Sequence, residues 1–196
     1  MHHNNISWKK YIDRTSKNKV RPLLVEALQH TQERASALDI GGGALNESKY
    51  LLSQGFGSVT AMDADEAAEE KAKEIKEPNF NFVRATYTDF KLEPESYDLI
   101  NAQYALPFNG PEEFNDLIER LKMSLKSKGI FVGNLFGERD SWNIVGSKKI
   151  FHTNESAHEA LDGLDIIVFR EEEKDEKTAL GQPKHWHLFN FIARKR

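Results

Sequence analysis

At 196 residues, 39% of them hydrophobic, the chain can bury the core of one three-layer domain and is too short for two ordinary ones. Its zero cysteines exclude disulfides, thiolate metal sites and a cysteine nucleophile, including the cysteine-dependent route to carbon-5 pyrimidine methylation. A net charge of -4 argues against a dedicated nucleic-acid binder. With no apolar run of membrane-spanning length and a polar start, Met1-His2-His3-Asn4-Asn5, a cytoplasmic chain without a secretory signal is expected.

Residues 1–196 read as a single domain whose first 34 residues form a helical cap. Within the cap, Lys9, Lys10, Arg14, Lys17, Lys19 and Arg21 face one acid, Asp13. A solvated helix face accounts for that run, and an anion- or RNA-facing edge is the alternative. Beyond the cap, apolar runs of strand length alternate with amphipathic segments of helix length, the pattern of a parallel sheet covered on both faces. Strands are predicted at Ala37–Ile40, Val59–Met62, Phe80–Ala85, Tyr97–Ala102 and Gly129–Leu135, with helices between them. The clearest helix is Pro111–Ser127: Pro111 suits a first turn, Phe114, Leu117, Ile118, Leu121 and Leu125 make one apolar stripe, and Gly129 follows as a stop. Leu164–Glu171 then reads as a strand, Asp175–Pro183 as a polar connection and His185–Arg194 as a last strand, so the chain should end in an antiparallel hairpin.

The glycine run that follows the first strand carries the most chemistry. In Ala37-Leu38-Asp39-Ile40-Gly41-Gly42-Gly43, Gly41 and Gly43 let a strand turn sharply into a helix while the backbone closes on a ligand. Asp63, at the end of the second strand and twenty residues past Gly43, stands where an acid takes ribose hydroxyls. A dinucleotide fingerprint needs a further glycine where this chain has Asn46, so nicotinamide and flavin chemistry lose ground.

The same residues resemble the first motif of the class I S-adenosylmethionine-dependent methyltransferases, hydrophobic-Asp-hydrophobic-Gly-x-Gly-x-Gly, with Leu45 where the family has its third glycine. The resemblance implies an α/β fold, a three-layer Rossmann-like sandwich whose mostly parallel seven-stranded sheet ends in an antiparallel hairpin. It also implies S-adenosyl-L-methionine as cofactor, S-adenosyl-L-homocysteine as product, and a cofactor site built from several strand ends. Asp39, Gly41 and Gly43 come from the first motif, and Asp63 with Ala64 follows the second strand. Thr88, Asp89 and Phe90 follow the third, where the family has an acid for the adenine amino group beside an amide for a ring nitrogen. Asn101 and Ala102 end a fourth-strand motif, Tyr97-Asp98-Leu99-Ile100-Asn101-Ala102. The stretches Gln103–Phe108 and Phe136-Gly137-Glu138-Arg139-Asp140 resemble the small bacterial branch that includes tellurite-resistance-type methyltransferases.

On this reading the acceptor pocket draws on Tyr104, Asp140 and Trp142, with His185 and Trp186 as further contributors, and Tyr104, Trp8 and Tyr11 are aromatic candidates to face the sulfonium. No residue is assigned a catalytic role, because in-line methyl transfer needs alignment and desolvation more than a dedicated acid or base. Asn101-Ala102-Gln103-Tyr104 lacks both prolines of the Asn/Asp-Pro-Pro-Tyr motif of nucleic-acid amino methyltransferases. His185 and His187 share one strand face opposite Trp186, and two imidazoles without a third ligand do not make a metal site, so no metal is expected. The expected partner is a small molecule such as a chalcogen oxyanion, a thiol or a carboxylic metabolite, with no membrane. RNA or protein methylation stands as the alternative, and Leu45 leaves open a non-catalytic S-adenosylmethionine- or nucleotide-binding module.

Overall fold

In the computed structural model, β1 (Ser36–Ile40), β2 (Ser58–Asp63), β3 (Phe80–Arg84), β4 (Tyr97–Ala102) and β5 (Leu125–Gly137) lie parallel. A long hairpin of β7 (Leu164–Lys177) and β8 (Pro183–Lys195) joins antiparallel to β5 through β8, giving the order β3-β2-β1-β4-β5-β8-β7. The structure describes Ser7–Arg196; the start Met1–Asn5, and with it the first six residues of the expected cap, lie outside the described residues. Among the described residues no helix is long and apolar enough to cross a membrane.

The central strands are apolar on both faces because both are covered. On one face Leu38, Ile100, Phe131 and Phe189 pack against α5 (Pro111–Ser124) and α6 (Asn154–Glu159). On the other, Ala37, Val59, Leu99 and Ile192 pack against α2 (Pro22–His30) and α3 (Asn46–Ser53). α4 (Glu66–Ala72) sets Ala68 and Ala72 on the β2–β3 end, and α1 (Trp8–Thr15) lies beside it through Ile12. From β1 the chain winds through β2 to β3 on one side, then returns to place β4 and β5 on the other. The loops leaving β1 and β4 therefore part company at their carboxyl ends, and a crevice opens there.

Three differences from the sequence reading have local causes. Helix α5 ends at Ser124 rather than Ser127, because Leu125, the last residue of the apolar stripe, is buried in extended conformation opposite Tyr97. The sheet ladder then breaks and resumes at Leu99–Ile130, with Lys128 at φ 65 in the irregularity. The hairpin runs through Lys177 on one strand and from Pro183 on the other, leaving only Thr178–Gln182 as a turn. Much of the polar stretch expected to be a connection stays paired, with cross-strand neighbours Asp175 and His185, and Glu176 and Lys184. A two-residue strand, β6 (Phe151–His152), pairs with the end of β5 and is too short to leave a periodic signal in the sequence.

Leu45, where the family pattern has glycine, takes the left-handed conformation at φ 61. Its side chain is fully buried with Ala61 and Ala72 beneath the loop rather than directed into the crevice, so the loop has reshaped around it. A left-handed leucine costs about 1–2 kcal/mol, whereas truncating a buried leucine costs about 2–5. Leu45→Gly should therefore lower stability to urea by about 1–4 kcal/mol. A gain in stability would show that backbone strain, not packing, governs this position.

Candidate functional site

The glycine loop turns above a buried carboxylate. Asp39, at the end of β1, accepts from the Ser48 hydroxyl on α3 at 2.5 Å through Oδ2 and from the Asn101 amide on β4 at 2.7 Å through Oδ1. Gln103 donates to Asn101 Oδ1 at 2.9 Å, and the Tyr104 amide donates to Asn134 Oδ1 on β5 at 2.7 Å, which extends the polar chain across the three central strand ends. Over this network Gly41 has φ +65, and a Cβ there would stand 2.8 Å from the Ala105 side chain, so neither the turn nor the close approach admits another residue. Burial, then the nearby charge of Glu47, pushes the Asp39 carboxyl up to about 6.

Asp63 is held from two sides. The Gly43 amide donates to its Oδ2 at 2.8 Å and the Asp65 amide to its Oδ1 at 2.9 Å, which fixes the carboxylate at the crevice wall with one lone pair on each oxygen still unused. Burial raises its pKa against those two hydrogen bonds. Thr86 and Tyr87, after β3, continue the wall, and the Tyr87 hydroxyl donates to the Ala105 carbonyl at 3.2 Å.

The crevice is a cleft of about 690 Å³, the size of a cofactor pocket. Part of its lining is a closed belt of rings and one guanidinium. Trp8 on α1 packs edgewise on Phe108 at 5.1 Å between centroids, Phe108 on Trp142 at 6.1 Å, Trp142 on Trp186 at 5.5 Å and Trp186 on Tyr104 at 5.8 Å. Arg21 lies over the Tyr104 ring at 5.1 Å and donates to the Tyr11 hydroxyl at 3.3 Å, and Tyr11 meets Trp8 at 5.8 Å. Arg21 is also paired with the buried Glu47 of α3 at 2.7 Å, so the cap is tied to the glycine-loop helix.

Of the residues singled out from the sequence, Gly41, Gly43, Asp63, Ala64, Tyr104, Trp142 and Trp186 line this cleft, as do Trp8 and Tyr11. Asp39, Asn101 and Ala102 lie buried beneath it and act through the strand ends they hold. Thr88 and Asp89 are exposed, one step past the lining. Asp89 exchanges hydrogen bonds with Thr86, accepting from its hydroxyl at 2.6 Å, while Phe90 is buried in the core. Asp140 is fully buried and paired with the equally buried Lys184. Lys184 Nζ sits 4.1 Å from the Trp142 ring centroid and 4.2 Å from that of Trp186, so the pair braces both indoles from behind. His185 lies outside the cleft with Asp175 and Glu173 at 2.9 and 3.1 Å. Glu171, Glu173 and His187 bring ligand atoms within 4.8 Å of one another, but the Arg139 guanidinium occupies that position, donating to the two glutamates at 2.5 and 2.6 Å.

Sequence reasoning missed Arg21, Glu47, Lys149 and Lys184. Lys184 had a signal: it is two residues from Trp186 and therefore on the same face of β8. Arg21 was absorbed into the basic run, and nothing local marks its partner Glu47.

Three comparisons with known proteins bear on this geometry. Residues 37–129 match a family model described as a methyltransferase domain. The chain is 32% identical over 122 residues to the N-terminal Xaa-Pro-Lys N-methyltransferase 1 of Bos taurus, a match covering 59% of this chain and 55% of the relative. The chain thus spans about half the length of that curated relative. Among solved structures, TehB from Haemophilus influenzae superposes with a TM-score of 0.77 at 19% identity, covering 95% of this chain and 67% of the other. The Burkholderia thailandensis 1,6-didemethyltoxoflavin-N1-methyltransferase, solved with bound 1,6-didemethyltoxoflavin and S-adenosylhomocysteine, superposes with 0.67 at 20% identity over 89% and 77% of the two chains. At such identities these structures establish a shared fold.

The raised pKa of Asp39 has a consequence for stability. Between its ordinary value of 3.8 and about 6, the folded protein keeps a proton that the unfolded chain has released. The group's contribution is therefore fully present below about pH 4 and is lost as pH rises through 6. Asp39→Asn removes the titration while keeping an acceptor for Asn101 and a donor for Ser48. Measured by urea unfolding, the variant should gain about 2–3 kcal/mol relative to wild type between pH 4 and pH 7. Parallel stability profiles across that range would refute the assignment.

Proposed function

We propose that the cleft, built in large part on residues 37–129 that match a methyltransferase-domain model, binds S-adenosylmethionine and directs its methyl group to a small acceptor. The observation that carries the reading is the Asp63 carboxylate, fixed by the Gly43 and Asp65 amides at the wall of a 690 Å³ cleft with lone pairs left for a pair of hydroxyls. A ribose offers that pair of donors. The backbone of Gly41, Gly42 and Gly43 lines the cleft beside Asp63 and offers surface for the amino-acid portion, and Thr86 and Tyr87 flank the place where the base would lie.

When bound, S-adenosylmethionine supplies a methyl group already activated by positive sulfur, so an acceptor lone pair displaces a neutral thioether. The protein's contribution is then alignment and the exclusion of water. Asp63 and the glycine loop set one reactant. The belt of Trp8, Phe108, Trp142, Trp186 and Tyr104 lines the cleft with apolar surface and presents aromatic rings that favour a cation. No acid or base is required of the protein when the acceptor atom arrives unprotonated. Leu45 takes no space in the cleft, which removes the steric ground for a purely binding role.

The identity with the bovine enzyme favours a second reading, methylation of a protein N-terminus. The aromatic lining of the cleft, to which α1 adds Trp8 and Tyr11, supports the small acceptor instead.

Calorimetric titration with S-adenosylhomocysteine tests the cofactor site. Removing charge-assisted hydrogen bonds worth about 1.5–3 kcal/mol, Asp63→Ala should weaken binding about ten- to a hundredfold in a variant whose melting shows that it remains folded. Undiminished affinity in that variant would exclude Asp63 from the ribose site.

A further inference from the structure

Charges around the cleft are segregated. The carboxylates that line it, Glu47, Asp63 and Asp65, all stand on the side of the glycine loop and β2, and Glu47 is neutralised by Arg21. On the opposite side the lining is Tyr104, Phe108, Phe136, Trp142 and Trp186; Arg21, paired with Glu47, reaches it at Tyr104, and Lys148 and Lys149 also line the cleft, with Lys149 at Trp142 and Phe108. Lys149 Nζ lies 5.0 Å from the Trp142 centroid and 5.5 Å from that of Phe108, half-buried against the rings. Partial burial holds its ammonium below the usual lysine value, and the charge of Asp140 is what opposes the shift. Asp140 itself is committed to Lys184 in a pair that excludes water. Among the described residues no carboxylate forms an ion pair with Lys149, so a partly desolvated cation faces the aromatic half of the cleft without a partner.

We infer that the acceptor is a small planar anion, an aromatic ring bearing a carboxylate or phenolate, which lies along the Trp142–Trp186 wall with its negative group on Lys149. This rests on the methyl-transfer reading above and names the acceptor class for the same site. The rings provide stacking area, Lys149 provides the counter-charge, and the buried Lys184–Asp140 pair holds the two indoles in place from behind. A peptide N-terminus, which brings positive charge, would meet two lysines and no lining carboxylate on this side. An anion also suits the chemistry, since it balances the positive sulfur across the cleft and needs no proton removed when the anionic atom itself is the acceptor.

Three probes on one ring system test the inference by calorimetry on the full chain saturated with S-adenosylhomocysteine: 2-naphthoate, its isostere 2-naphthamide, and the cationic 2-naphthylmethylammonium. Naphthoate should bind about tenfold or more tightly than the amide, and the ammonium most weakly. Lys149→Met should abolish the preference and Lys149→Arg should retain it, with S-adenosylhomocysteine affinity equal in all three proteins. Naphthoate that binds no better than the amide, or not at all, overturns the inference, as does a preference that survives in Lys149→Met. Failure of S-adenosylhomocysteine to bind the wild-type chain would instead bring down the methyl-transfer reading, and this one with it.

Discussion

The site depends on one buried carboxylate. Asp39 ends β1 directly below the glycine turn, and its two oxygens take hydrogen bonds from α3 and β4, so strand, helix and neighbouring strand are joined at one point. A buried carboxylate is costly unless its lone pairs are used, and here they are used by the elements whose ends form the cleft. Asn101 and Asn134 carry the same logic outward, with Asn101 bound to Asp39 and Gln103, and Asn134 taking the Tyr104 amide. These polar side chains sit toward the carboxyl ends of β1, β4 and β5. They make the floor rigid at the place where the loops must diverge.

Above that floor the cleft has two halves of different character. The glycine-loop half is acidic and hydrogen-bonding, with Asp63 oriented by backbone amides. The other half is aromatic and basic, with Lys184 and Asp140 sealed behind its indoles. A sealed pair of this kind contributes little net stability against a well-packed apolar substitute, while loss of one partner leaves a buried charge exposed to a cost of about 3–5 kcal/mol. Its value lies in fixing the side chains of Trp142 and Trp186, whose backbones, a loop and β8, are already joined by the Ser141 amide donating to the His185 carbonyl at 3.0 Å. Arg21 performs the matching task across the mouth, joining α1, Glu47 and Tyr104.

Much of this was legible in the sequence. Strand-length apolar runs gave the sheet, because strands covered on both faces are apolar throughout, and the two final β runs separated by glycine and proline gave the reversed hairpin. The glycine turn and Asp63 were legible because backbone conformation and acid placement leave marks at fixed spacing. What escaped were side chains whose role depends on partners distant in the chain. Asp140 read as a pocket residue, and only the fold brings Lys184 to it across 44 positions. The far end of the hairpin read as a connection because its residues are polar, yet a strand with solvent on its faces has no need of apolar alternation when its backbone is paired.

The central proposal is that S-adenosylmethionine lies in the glycine-loop half with its sulfur facing the aromatic half. A crystal structure with S-adenosylhomocysteine tests this most directly. The claim requires the ribose hydroxyls on Asp63, the base beside Thr86 and Tyr87, and the sulfur facing the cavity bounded by Tyr104, Trp142 and Trp186. Ligand density away from Asp63, or a sulfur turned from the aromatic half, would contradict it.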